Sequence, residues 1–303
     1  MQAPVKTLSL VASLLWLAAG DAAAQRGAVG GPEPMRWTTG PAGPRRTIVY
    51  LHGLGCEPND PVIRRLVREF DRRRDGYLVV APWLRPVAAD GRGKLVEAGP
   101  HTMSDQLQRA RRVIEQQEGR VVLMGHSFGG KAALQLAREY PHKVACVVGL
   151  APSVNMLYSY WKRLTGERGL PADTHRLQRT IAAHRDRLGA ELQRALGRAD
   201  RKAADELRSA VEYADVMRDL TGFNEPGVES GVRTPTLVLQ GTADEAVSIH
   251  YSRRFAQQNP GVRLFELEGV SHAFRAPQQP LRDVTREMAP RITSFINQHL
   301  ESN

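Results

Sequence analysis

The stretch "VVLMGHSFGGKAALQL", residues 121–136, decides the predicted fold. Four apolar residues run directly into the pattern Gly-His-Ser-Phe-Gly, and apolar residues at helical spacing follow at once. A short apolar run that ends on glycine is typical of a buried strand. The sequence therefore predicts that Ser127 stands at a sharp turn from a strand into a helix, with Gly125 before it and Gly129 after it.

Strand-like and helix-like segments alternate on both sides of this stretch. Buried strands are expected at 47–53, 77–83, 144–152, 235–241 and 262–269, and helices at 61–70, 103–117, 248–258 and 281–300. Apolar strands that alternate with amphipathic helices indicate βαβ units and a parallel sheet covered on both faces. We predict an α/β fold with a mostly parallel sheet of about six to seven strands.

Residues 153–232 interrupt this alternation, because no strand pattern occurs there. Two helical patterns, at 174–189 and 198–220, fill the segment. The interpretation is a helical insertion between two core segments, 47–152 and 233–303. The preceding residues, 25–46, are rich in glycine and proline and are expected to form a flexible lead-in with one short strand at 35–39.

The chain's composition is that of a globular protein. It has 303 residues, of which 42 % are hydrophobic and 24 % charged, and this excludes wholesale disorder.

The formal charge of +10 includes a run of arginines, "RRLVREFDRRR" at 64–74. We interpret the run as a solvated helix face. The alternative is weak attraction to an anionic membrane surface. No nucleic-acid partner is expected, because no nucleic-acid-binding module accompanies the charge.

The first residues have the features of an export signal. Lys6 precedes an apolar stretch from Leu8 to Ala19, and the segment closes on three alanines that end at Ala24. This order is typical of a signal peptide. We expect residues 1–24 to be removed, which would leave a periplasmic or secreted protein beginning near Gln25.

The cysteines predict no disulfide and no metal site. Cys56 follows the end of one expected strand and Cys146 lies near the start of another, so a parallel sheet places them at opposite ends. The patterns CxxC and HExxH, which are typical of redox and zinc sites, are both absent from the sequence.

The turn at Ser127 has the features of a nucleophile elbow. A serine hydroxyl is a weak nucleophile that needs an exposed, fixed position, and a strand-to-helix turn supplies one. The backbone is crowded at such a turn, so the positions two before and two after the serine must be small. A glycine-rich turn without chemistry is the alternative.

An acid and a base follow Ser127 in the order that this mechanism requires. Asp244 comes directly after the strand "TLVLQG", and His272 after the strand "VRLFEL". The carboxyl ends of parallel strands meet at one sheet edge, so the two side chains are expected to be neighbours there. The alternatives are a helix N-cap for Asp244, with Glu245 as the acid, and a surface role for His272. His250 is expected to be structural.

Backbone N–H groups for an oxyanion are expected at two places. One belongs to Phe128, the residue after the nucleophile, and the other to Leu54 in the loop "HGLG" at 52–55. An ordinary glycine-rich turn is the alternative for this loop.

These motifs, "HGLG", "GHSFGG", "GTADEAV" and "GVSHAF", resemble those of the α/β-hydrolase superfamily from Thr47 to Leu300. The resemblance is to its esterase, lysophospholipase and serine-aminopeptidase-like members. It implies a nucleophile, acid and base at Ser127, Asp244 and His272, an oxyanion hole at Leu54 and Phe128, and a lid at 153–232. The sequence departs from the pattern at 82–105, and the two antiparallel strands that usually precede "HG" have little room.

The sequence therefore predicts a serine hydrolase that cleaves a small-molecule carboxylic ester without a cofactor or metal. The open alternatives are an amide or peptide hydrolase, an acyltransferase, or a non-catalytic binding protein on the same scaffold. Met156, Tyr158 and Trp161 are candidates for the substrate pocket, and the alternative is that they only attach the insertion to the sheet.

Overall fold

A computed structural model describes most of the chain as two compact units. The helical unit comprises the described residues within 99–104 and 156–225, and the sheet unit comprises the other described residues. The expected signal peptide and part of the lead-in lie outside the described residues. The described residues are 33–41, 45–54, 56–84, 87–89, 95–97, 102–154, 156–167, 171, 173–221, 231–277 and 280–300.

The sheet unit is built on a seven-stranded, mostly parallel sheet with the order β1-β3-β2-β6-β7-β8-β9. Strand β1 is antiparallel to β3, and every other neighbouring pair is parallel. Strands β4 and β5 form a separate antiparallel pair. The strands are β1 (Met35–Thr38), β2 (Arg46–Leu51), β3 (Tyr77–Ala81), β4 (Val87–Ala89), β5 (Leu95–Glu97), β6 (Val121–His126), β7 (Val144–Leu150), β8 (Thr236–Gly241) and β9 (Val262–Leu267).

Eight helices are described, five in the sheet unit and three in the helical unit. Among them, none is long and apolar enough to cross a membrane. The helices are α1 (Pro61–Arg72), α2 (Met103–Glu115), α3 (Phe128–Glu139), α4 (Met156–Thr165), α5 (Thr174–Gly197), α6 (Arg201–Leu220), α7 (Ile249–Gln258) and α8 (Leu281–Leu300).

The burial of the strands explains their apolar sequences. Every residue of β6, β7 and β8 is buried, as expected for central parallel strands covered by helices on both faces. The edge strands β1 and β9 are partly exposed. Their sequences mix polar and apolar residues because an edge strand is partly open to solvent. The predicted α/β sheet with helices on both faces is thus confirmed.

The helical unit consists of α4, α5 and α6. Helices α5 and α6 are joined by three residues, 198–200, and pack along each other. The buried side chains of α5 include Leu177, Ile181 and Leu188, the stripe expected from the sequence. In α6 the buried positions include Leu207 and Ala214. In both helices, apolar side chains that recur about every 3.6 residues form the buried face.

The short strand expected at 35–39 is present as β1, which pairs antiparallel with β3. The segment 82–105, where the sequence departs from the family pattern, contains β4 and β5, which were not predicted. Strands of three residues are too short to show a period of two, which explains why they were missed.

The start of α1 is fixed by a buried carboxylate. Asp60 is the N-cap, and its Oδ1 accepts hydrogen bonds from the N–H groups of Val62 at 2.8 Å and Ile63 at 3.1 Å. The Tyr50 hydroxyl in β2 donates to Oδ2 of the same carboxylate. Burial raises the pKa of both groups. The chain that leaves β2 through the "HGLG" loop is thereby anchored back to β2.

We expect Asp60→Ala to lower the free energy of unfolding by about 3 kcal/mol, because it removes a helix cap and leaves the Tyr50 hydroxyl buried without a partner. Tyr50→Phe, the matched control, keeps the cap and should cost about 1 kcal/mol. Urea denaturation of both variants and of the double variant measures this. The assignment is wrong if Asp60→Ala lies within about 0.5 kcal/mol of wild type.

Candidate active site

Ser127 occupies a strained backbone conformation between β6 and α3. Its φ of 52° and ψ of −118° are unfavourable for a residue with a side chain. The Ser127 N–H donates to the Leu150 carbonyl at 2.9 Å, and the Ser127 carbonyl accepts from the N–H groups of Gly130 and Ser153, each at 3.0 Å. Backbone bonds to β7 and the following loop thus hold the strained turn in place.

Glycine is sterically required around this turn. A Cβ atom on Gly125 would lie 2.2 Å from the Gly129 carbonyl oxygen, and one on Gly129 would lie 1.9 Å from the Leu51 carbonyl oxygen. Neither neighbour is a flexible side chain that moves aside, because both are backbone atoms. The crowding expected from the Gly-x-Ser-x-Gly pattern is therefore present in the structure.

Asp244 and His272 form a buried hydrogen-bonded pair at the carboxyl edge of the sheet. His272 Nδ1 lies 2.8 Å from Asp244 Oδ2, and both residues are buried. Asp244 Oδ1 also accepts from the N–H groups of Ala246 at 2.9 Å and Val247 at 2.7 Å. The carboxylate thus closes its own turn and orients the imidazole. The N-cap of α7 is Ser248, not Asp244.

A buried glutamine steadies this carboxylate from the sheet. Gln240 Nε2 donates to Asp244 Oδ2 at 2.6 Å, and Gln240 Oε1 accepts from the Ser252 hydroxyl at 3.0 Å. Sequence reasoning did not identify Gln240. Its signal was present, since a polar residue in the fully buried strand β8 needs hydrogen-bond partners.

His126 joins the Ser127 turn to the loop that carries His272. His126 Nε2 lies 3.1 Å from the backbone carbonyl oxygen of His272, and the two rings are 5.1 Å apart between centroids. Burial, and then the neighbouring His272, lower the pKa of His126 to about 3. The ring is therefore neutral at pH 7, and its Nε2–H donates to the carbonyl. Sequence reasoning did not identify this link.

The Ser127 hydroxyl hydrogen-bonds a second serine. Ser127 Oγ lies 3.2 Å from Ser153 Oγ, and the Ser153 N–H donates to the Ser127 carbonyl. Among the described side chains, the hydrogen-bond partner of the Ser127 hydroxyl is Ser153 rather than His272. Ser153 was not a candidate in the sequence, because nothing in the motif places a residue 26 positions later beside the nucleophile.

The loop after β2 is held by the His52 side chain. His52 Nε2 accepts from the Leu84 N–H at 3.2 Å, so Nδ1 carries the proton of the neutral ring and donates to the Gly53 carbonyl at 3.0 Å. Leu54 lies in this loop and is half-buried. Phe128 is the first residue of α3, so its N–H has no acceptor within the helix.

The remaining candidate residues are either exposed or part of the helical unit. Glu245 and His250 are exposed, and Asp244 rather than Glu245 contacts His272. Met156, Tyr158 and Trp161 belong to α4 in the helical unit. Trp161 is fully buried there, with the Arg176 guanidinium 5.6 Å from its ring centroid. A pocket-lining role for these three residues stays a prediction.

The described residues contain no group of three or more histidine, cysteine, aspartate or glutamate side chains that would hold a metal ion. Cys56 and Cys146 are not joined in a disulfide. Cys146 lies inside β7, where burial raises its pKa to about 12, so this thiol stays protonated at neutral pH.

Comparisons with known proteins identify the family of the chain. Residues 48–287 match the family described as "Alpha/beta hydrolase family". The chain belongs to the alpha/beta hydrolase family. This match spans most of the sheet unit and the whole helical insertion.

Individual proteins that are similar to this chain share only part of its sequence. "Lipase LipV" of Mycobacterium tuberculosis is 32% identical over 116 residues, which cover 38% of this chain and 40% of that relative. A monoacylglycerol lipase of Paleococcus ferrophilus is 20% identical, with a TM-score of 0.53, over 87% of this chain and 99% of that one. Est1E of Butyrivibrio proteoclasticus is 16% identical, with a TM-score of 0.54, over 83% and 88%. These likenesses to solved structures establish the fold.

His126 predicts an acid-sensitive stability. Its pKa in the folded protein lies below the ordinary value of 6.5, so its contribution is present above pH 6.5 and is lost as the pH falls toward 3. Between pH 6.5 and about pH 5 the free energy of unfolding should fall by about 2 kcal/mol, because the change is about 1.36 kcal/mol per pH unit. Urea denaturation at several pH values should show this loss in wild type and not in His126→Gln.

The matched control is His250→Gln, which changes an exposed histidine on α7. Its stability should follow the wild-type pH profile. A His126→Gln variant that loses as much stability as wild type over this pH range contradicts the assignment.

Proposed function

We propose that this protein is a serine hydrolase that cleaves carboxylic esters through an acyl-enzyme on Ser127. The observation that carries the proposal is the buried His272–Asp244 hydrogen bond of 2.8 Å, on a loop that His126 ties to the strained Ser127 turn. A carboxylate, an imidazole and a half-buried hydroxyl at one sheet edge are the components of a catalytic triad.

In the proposed acylation step, His272 acts as the general base. Its Nδ1–H donates to Asp244, which leaves the lone pair on Nε2 to accept the Ser127 proton. Ser127 Oγ attacks the ester carbonyl carbon, and the carbonyl π electrons move to its oxygen. Asp244 stabilises the resulting imidazolium, and the Nε2 proton is then transferred to the departing alkoxide.

Backbone N–H groups are proposed to bind the negative oxygen of the tetrahedral intermediate. The Phe128 N–H is not used inside α3, and the N-terminal end of a helix favours a negative charge. The Leu54 N–H is the second proposed donor, on the loop that the His52 side chain fastens to Leu84. Donors fixed in advance stabilise the oxyanion without reorganising during the reaction.

Deacylation repeats these steps with water as the nucleophile. His272 takes a proton from water, the hydroxide adds to the acyl carbon, and Ser127 leaves with the proton from His272. A carboxylic ester is favoured over an amide because the similar proteins include a lipase and a monoacylglycerol lipase. The names of these relatives support the substrate class.

Ser153 is proposed to hold the Ser127 hydroxyl in a resting position. The hydroxyl hydrogen-bonds Ser153 Oγ at 3.2 Å and has to rotate toward His272 Nε2 before it can lose its proton. Catalytic hydrogen bonds often form only once substrate is bound. A rotation about the Cα–Cβ bond of one serine is a small change, and the backbone of Ser127 stays where it is.

Hydrolysis of a short-chain p-nitrophenyl ester tests the proposal. Ser127→Ala should lower kcat/KM by at least about 10³-fold, and Asp244→Asn by about 10³- to 10⁴-fold, because the latter loses the imidazolium partner and the correct tautomer. Ser153→Ala is the matched control, since it removes a hydroxyl 3.2 Å from Ser127 Oγ and should change kcat/KM by less than about tenfold.

Retention of wild-type activity in a folded Ser127→Ala variant excludes the acyl-enzyme mechanism. A folded wild-type protein that hydrolyses no member of a panel of esters excludes the ester hydrolase and favours a binding role.

A further inference from the structure

A concave site that is not lined by Ser127, Asp244 or His272 lies between α1 and the segment that enters α8. These two helices pack against each other in the sheet unit. The pocket between them has a volume of about 600 Å³, which is within the range of small-molecule sites. It is lined by Pro61, Arg64, Arg65, Arg68, Arg275, Ala276, Pro280 and Leu281.

Four arginines and no carboxylate are found among the described residues that line the pocket. In the described part of the chain, no ion pair is formed by Arg65, Arg68 or Arg275. Other arginines of the same run are paired, Arg72 with Glu69 at 2.8 Å and Arg73 with Asp75 at 3.0 Å. The run "RRLVREFDRRR" is therefore divided into a paired end and an end that lines the pocket.

The acidic side chains nearest the pocket on α1 have other partners. Asp60 accepts hydrogen bonds from two N–H groups of α1 and from the Tyr50 hydroxyl, and it also interacts electrostatically with Arg64. Asp71 accepts from the Gly40 N–H at 3.1 Å. Several like charges that converge on one cavity repel each other, and a bound anion would remove that repulsion.

The pocket also has an apolar wall. Pro61 is the first residue of α1 and Leu281 is the first residue of α8, and both line the pocket. The N–H groups at the start of α1 already bind Asp60, so the positive charge of the pocket comes from its arginines. Ala276 and Leu281 supply an apolar wall beside the charges.

From this arrangement we infer that the pocket binds the phosphate group of a phosphate ester. Several guanidinium groups around one cavity match the charge and the several acceptor oxygens of a phosphate better than a carboxylate with one charge. The apolar wall would contact the carbon part of the ester. This inference goes beyond the proposed esterase activity, since no residue of the pocket is part of the proposed triad.

The pocket lies at the same sheet edge as the proposed triad. Helix α1 follows the carboxyl end of β2, and the 275–281 segment follows His272 after β9. The turn that carries His272 is closed by Arg275, whose carbonyl accepts from the Ser271 N–H at 2.8 Å. A phosphate ester bound here, either a phospholipid headgroup or a soluble molecule, would be held at the edge where ester cleavage is proposed.

The test uses the double variant Arg65→Gln/Arg68→Gln of the full-length protein. One arm measures cosedimentation with phosphatidylcholine vesicles with and without phosphatidylglycerol, and the other measures calorimetric binding of glycerol 3-phosphate. Removal of one arginine near a phosphate weakens the affinity about fivefold, so the double variant should bind about 25-fold more weakly than wild type. Wild-type binding should weaken steeply with added salt, and binding by the variant should weaken less.

The matched control is Arg36→Gln/Arg254→Gln, which removes two exposed arginines outside the pocket and gives the same net charge. It should bind as wild type does. If only the binding to anionic vesicles is lost in Arg65→Gln/Arg68→Gln and kept in the control, the ligand is a lipid headgroup. If binding of glycerol 3-phosphate is lost in the same way, the ligand is a soluble ester. Equal losses in both double variants show attraction by net charge only, and they overturn the inference. Wild-type protein that binds neither probe also overturns it.

Both double variants should hydrolyse the p-nitrophenyl ester as wild type does, because Arg65 and Arg68 lie outside the proposed triad. This readout shows that each variant is folded. It also separates failure of the phosphate site from failure of the proposed ester hydrolase, since the two are measured on the same samples.

Discussion

The close approach of α3 to β6 and β2 is the constraint on which the rest of the site depends. Gly129 lies so near the Leu51 carbonyl that no side chain fits between them, and Gly125 is equally close to the Gly129 carbonyl. This crowding keeps Ser127 at a φ of 52°. Because the strain is stored in the backbone, the turn itself fixes the direction of the Ser127 Cα–Cβ bond.

Buried polar bonds extend this rigidity across the carboxyl edge of the sheet. Ser252, Gln240, Asp244 and His272 form a continuous hydrogen-bonded chain from α7 through β8 to the loop after β9. His126 closes the arrangement by binding the backbone of that loop. Satisfied buried networks specify a single arrangement, and a neutral His126 adds no charge beside the imidazole that is proposed to gain a proton.

The fold and three side chains of the site were predictable because they follow from local patterns. The apolar strands, the helix spacing, the glycines beside Ser127 and the positions of Asp244 and His272 after strands are all visible in short segments. Ser153 and the His126 link were missed because their roles depend on contacts between distant parts of the chain. His126 and His272, for example, are 146 residues apart. Gln240 is different, because a polar residue in a buried strand already indicates a hydrogen-bond partner. The pairing of β4 with β5 was missed because each strand has three residues.

The central claim is that the Ser127 hydroxyl is the nucleophile, although Ser153 Oγ lies only 3.2 Å away. Reaction with a fluorophosphonate, followed by proteolysis and mass spectrometry of the modified peptides, tests this most directly. The account predicts one phosphonyl adduct per chain, located on Ser127. An adduct on Ser153, or no adduct on a folded protein, would contradict it.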